Sequence, residues 1–94
     1  MHLPATDVDW PAVMEDHRSW ITRVITARTG GSDAVDDVLQ EVALAVTVSR
    51  DRPANPQEIA PWLCKIVVRQ CALLVRNRVR QQRKLNGLQQ NRET

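Results

Sequence analysis

Ninety-four residues suffice for one small domain, and with 43% apolar residues but no Phe or Tyr its core must come from Leu, Ile, Val, Ala and three Trp, which favours helix over sheet. The net charge of +2 conceals a polarity: residues 1–58 carry five Lys or Arg against ten Asp or Glu, while residues 59–94 carry eight against one, so an acidic front precedes a basic back suited to a polyanion. No apolar run nears the ~20 residues of a membrane span and "MHLPATD" lacks a secretory pattern, which excludes a membrane partner on this reading and makes the expected location cytoplasmic.

Residues 1–8 are expected to form a disordered N-terminus. The first helix is predicted to open at Asp9, a good N-cap, with Pro11 in the first turn where its missing N–H does no harm. Trp10, Val13, Met14, Ile21, Val24 and Ile25 keep the 3-4 spacing of one buried face, with His17 and Trp20 between. "TGG" should end it, Gly30 or Gly31 supplying the left-handed residue and Ser32 or Asp33 capping the next helix.

That second helix is predicted from about Asp33 to about Ser49, with Val35, Val38, Leu39, Val42, Ala45 and Val46 facing inward. Asp33, Asp36 and Asp37 lie near its N-terminus, where the helix dipole favours negative charge by about 0.3 to 1 kcal/mol each. The dipole accounts less well for Gln40 and Glu41, which lie further along.

"SRDRPANP" is polar, carries two prolines and reads as a loop. "NPQE" then resembles a capping box with Asn55 as N-cap and Glu58 at the third helical position. Pro61 leaves two alternatives: a short turn precedes a helix beginning near Ala60, or one helix begins at Pro56 and bends at Pro61. Ile59, Trp62, Leu63, Ile66, Val67, Leu73 and Leu74 form its apolar stripe, Gly87 is the expected stop, and residues 85–94 read as a frayed tail. Cys64 and Cys71 fall seven apart on this helix, roughly 10 Å, beyond the ~7 Å reach of a disulfide. With His2 and His17 remote in sequence a zinc site is not expected, and the thiols read as reduced and partly buried.

Lys65, Arg69, Arg76, Arg80 and Arg83 stack along one face of the last helix, widened by Arg78 and Lys84. Acids at i±4 are absent there, so the face fits phosphate better than a lattice of structural salt bridges. Trp62 at its head could stack on an unpaired base or anchor the core, and Ser49, Arg50, Arg52, Asn55 and Gln57 could meet a base edge or water. No credible catalytic set stands out, no Gly-rich phosphate loop exists, and the acids lack calcium-loop spacing. The expectation is therefore a protein that is not an enzyme, with no cofactor, metal or small-molecule substrate.

"AVDDVLQEVALAV" and "APWLCKIVVRQCALLVRNRVRQQRK", in this order and with this intervening loop, resemble region 2 of bacterial RNA polymerase sigma factors of the extracytoplasmic-function (ECF) class. The resemblance covers residues 9–84 and implies an all-α, three- to four-helix bundle of the sigma region 2 type, with 85–94 starting an interdomain linker. It also implies two working surfaces. Asp36, Asp37, Gln40 and Glu41 would dock on the β′ clamp helices of the polymerase core. Arg52, Asn55, Gln57, Trp62, Lys65, Arg69, Arg76, Arg80 and Arg83 would engage the minus-ten promoter element, the Arg52 to Gln57 loop reading a flipped base of the non-template strand. An anti-sigma factor is a further expected partner. Ala43, Cys64, Arg69 and Leu73 depart from the residues usual in the family. Without the helix-turn-helix that reads the minus-thirty-five element, an isolated or truncated region 2 is expected. Two other readings are a helical protein-interaction or dimerisation module and a generic helical DNA-binding regulator.

Overall fold

Helix α1 (Trp10–Thr29) begins and ends as its sequence dictates. The Asp9 carboxylate accepts from the Ala12 N–H at 3.2 Å, answering one of the donors that every helix start leaves free. At the other end Gly30 turns left-handed at φ 85° and donates its N–H to the Thr26 carbonyl at 3.1 Å. A computed structural model describes residues 9–93, with side chains through residue 87. The disorder expected for residues 1–8 lies outside the described residues.

Helix α2 (Val35–Val48) starts without the side-chain cap expected from Ser32 or Asp33. Ala34 holds the cap position, 1% exposed, because it is drawn into the core. Ser32 contributes only its carbonyl, which accepts from Val35 N–H at 3.3 Å, and the Asp33 carboxylate turns instead to Arg78 at 3.5 Å. A tertiary partner has outbid the local one.

Of the two starts left open by Pro61, the chain takes the first. A 3₁₀ turn, Pro56–Glu58, precedes helix α3 (Ile59–Glu93). Asn55 caps that turn, but through its second residue rather than as a capping box: its side chain accepts from Gln57 N–H at 3.0 Å, while Glu58 N–H donates to the Asn55 backbone carbonyl at 2.9 Å. Pro61 then falls in the first turn of α3, where no intrahelical N–H donation is required of it. Gly87 does not stop the helix. Only Gly30 has positive φ among the described residues, so Gly87 keeps helical geometry and α3 runs through it to Glu93. A glycine permits a left-handed stop without enforcing one.

The three helices share one core. Ile21 and Ile25 of α1, Ala34, Val35, Val38, Val42 and Val46 at the start of and along α2, and Ile59, Leu63, Val67 and Cys71 of α3 are all buried. The α3 members recur at steps of four, so the buried seam keeps to one side of a helix about 52 Å long. Cys71, read as partly buried, is 1% exposed and occupies an inward position, whereas Leu73, read as part of the stripe, is 39% exposed. Two residues past Cys71, the helix rotation carries Leu73 onto the outer flank of the α2 contact. Both cysteines are free thiols. The described residues contain three helices and no strand, an all-α bundle as expected. Arg78 donates to the Thr29 carbonyl at 3.5 Å, and beyond it the exposed Leu85 belongs to a projecting arm that stretches the molecule to 70 × 24 × 17 Å.

Candidate functional site

The acidic surface is built on the side of α2 away from its valine seam. Asp36, Asp37, Gln40 and Glu41 are all exposed. None makes a side-chain hydrogen bond or ion pair among the described residues. Asp37, Gln40 and Glu41 meet Gln70, Leu73, Leu74 and Asn77 of α3 along a groove of about 460 Å³, floored by Val38. Asp36 is outside that groove. Sequence reasoning missed the apolar residues that extend this edge: Leu44 is 54% and Val48 77% exposed, at steps of four from Gln40. Their signal was available, since apolar residues at that register lie off the inward stripe.

Lys65, Arg69, Arg76, Arg80 and Arg83 are exposed on α3 and fall within about 60° of arc, on the side away from Leu63 and Val67. No ion pair joins them to an acid among the described residues. Arg78 lies on a different flank and ties α3 to Thr29 and Asp33, so it does not widen this face as expected. Arg28 of α1 does, a residue the sequence reading passed over. Together with Cys71, Ala72, Val75 and Arg76 it lines a groove of about 500 Å³ between α1 and α3. Burial pushes the Cys71 thiol up, and the Arg28 guanidinium opposes this in part.

The loop joining the two surfaces is partly fastened. Arg52 donates its Nε–H to the Ser49 carbonyl at 3.1 Å and holds its guanidinium carbon 5.9 Å from the Trp10 ring centroid. Asn55 is occupied with its turn, while Gln57 is exposed. Trp62 packs on Trp10 with centroids 5.4 Å apart at a 53° tilt, and also lines a recess of about 370 Å³ with Ser49, Ile66, Arg69, Gln70 and Leu73. Core anchor and open aromatic wall are thus two sides of one indole.

Among the described residues no group of three His, Cys, Asp or Glu could hold a metal, and no helix is long and apolar enough to cross a membrane. What the arrangement offers is binding: an acidic, partly apolar groove on α2, and cations beside an aromatic recess on α3. No curated protein and no solved structure matches the chain. The family comparison does give a match, to sigma-70 region 2 over residues 13–84, which takes in most of α1, all of α2, the loop and the whole basic face. The chain therefore belongs to the sigma-70 region 2 family, the sigma factor domain that serves RNA polymerase in core binding and promoter recognition.

Proposed function

We propose that this chain is region 2 of an ECF-class sigma factor, with residues 9–84 as the working domain and 85–94 leading into an interdomain linker. Asp37, Gln40 and Glu41, with Asp36 beside them, dock on the β′ clamp helices, and Leu44 and Val48 add apolar contact to that edge. Lys65, Arg69, Arg76, Arg80 and Arg83 track the phosphates of the non-template strand at the minus-ten element. Trp62 and the recess it walls receive an unstacked base, with Asn55 and Gln57 at its edge. An anti-sigma factor that silences the protein would compete for the acidic groove. All of this happens in the cytoplasm.

The observation that carries the reading is the separation of two unpaired surfaces of opposite charge on α2 and α3 within a single family match. Opening a duplex requires capture of unstacked bases and neutralisation of one strand, and neither step breaks a covalent bond. A non-enzymatic initiation factor needs no more.

Titration with a labelled non-template oligonucleotide at several salt concentrations tests the DNA side. Each phosphate neutralised on a single strand contributes about 0.7 to the slope of log affinity against log salt. Arg76→Ala with Arg80→Ala should therefore lower the slope by about 1.4. Single strand should also bind more tightly than duplex. A flat salt response would exclude phosphate tracking, equal or better duplex binding would favour a generic DNA-binding regulator, and a stable dimer indifferent to DNA would favour an interaction module.

A further inference from the structure

A loop that reads bases has to hold its polar groups in fixed places, and residues 49–55 have little regular structure to do so. Arg52 stands out within them. Arg50 and Asp51 are exposed, but Arg52 is half-buried. Its Nε–H is committed to the carbonyl of Ser49, the residue that ends α2, at 3.1 Å. Its guanidinium lies 5.9 Å from the ring centroid of Trp10, the first residue of α1. Trp10 in turn packs on Trp62 of α3 at 5.4 Å. One chain of contacts thus joins the loop to the ends of all three helices.

Trp10 also packs against the core, and one further feature fits this role. Its indole Nε1 is buried and has no hydrogen-bond partner among the described residues, so the ring is held by its faces alone. A planar cation can lie on an aromatic face and still donate Nε–H in its own plane, which a lysine ammonium cannot do.

We propose that Arg52 is a positioning residue: fixed between the Trp10 ring and the Ser49 carbonyl, it holds the loop so that Asn55 and Gln57 meet DNA in a preset arrangement, without touching DNA itself. The proposal rests on the reading of this loop as base-reading, and it reassigns Arg52 from the reading set to its support. Trp10, outside the expected site altogether, becomes the platform.

Two readouts on the 94-residue chain test it. Hydrogen exchange at the bonded loop amides of Gln57 and Glu58 should accelerate at least tenfold in Arg52→Ala and in Trp10→Ala, and no further in the double variant. Trp10→Phe keeps an aromatic face and should retain protection. In Arg52→Ala, amides in the middle of α2 and α3 should be unaffected, which separates positioning of the loop from the general loss of stability that truncating Trp10 also brings. On the non-template oligonucleotide, Arg52→Ala should weaken binding several-fold at an unchanged salt slope. Unchanged loop exchange in Arg52→Ala would overturn the proposal, as would acceleration spread over the whole chain. So would fully additive effects of the two alanine variants, or a slope lowered by about 0.7, the mark of a direct phosphate contact. If the unaltered chain binds no single strand, the base-reading assignment fails while the exchange data still decide whether Arg52 fixes the loop.

Discussion

Cys71 and Leu63 share one seam, and each fails in its own way if disturbed. Leu63 is 0% exposed at the meeting of the helices, so Leu63→Ala should cost about 2 to 5 kcal/mol in denaturant unfolding. Leu73→Ala, at a residue 39% exposed, should cost far less, and a comparable loss would contradict the packing described. The Cys71 thiol is held in its neutral form by burial, and only the thiolate alkylates. Iodoacetamide followed by mass spectrometry should therefore modify Cys64 well before Cys71 under native conditions. The linkage has a definite sign: a thiol raised on folding contributes stability present below its unfolded pKa, lost as pH rises through the folded value. Thermal stability should accordingly fall on the alkaline side, and Cys71→Ala should blunt that fall.

At the scale of the helices, the periodicity of α1 and α2 was readable because their seams are made of residues with one dominant property. Ile21, Ile25, Val38, Val42 and Val46 are apolar at the right spacing and are buried. The features that escaped depend on partners distant in sequence. Ser32 and Asp33 look like caps locally, but Arg78, 45 positions from Asp33, takes the carboxylate. Cys71 lies outside the expected apolar stripe only because the stripe is read from aliphatic residues and Trp; as a small hydrophobe at a step of four it continues the Ile59, Leu63, Val67 series. Of the expected working residues on α2, Asp37, Gln40 and Glu41 lie along one groove and Asp36 lies outside it, while the engagement of Arg52 with Trp10 depends on a contact distant in sequence. The different positions of Arg76 and Arg78 make a direct comparison. The Arg78–Asp33 pair is exposed and spans 3.5 Å, so Arg78→Ala should cost no more than about 1 kcal/mol and hardly change the DNA salt slope. Arg76→Ala should leave stability unchanged and lower the slope by about 0.7.

For the whole molecule, the net charge of +2 is a poor guide, since its two halves nearly cancel. The charged groups of the acidic and basic surfaces lie on different helices of an elongated body, 70 Å in its longest dimension, so a protein partner and a nucleic acid can be held without competing for charged side chains, although Gln70 and Leu73 line both the acidic groove and the Trp62 recess. That independence is the central claim. The most direct measurement titrates one set of variants with two ligands, a β′ clamp-helix fragment and the non-template minus-ten oligonucleotide. Asp37→Ala with Gln40→Ala should weaken clamp binding at least tenfold and leave DNA binding within about twofold, while Arg76→Ala with Arg80→Ala should do the reverse. Loss of both ligands in either double variant, or unchanged clamp affinity in the first, would contradict the account.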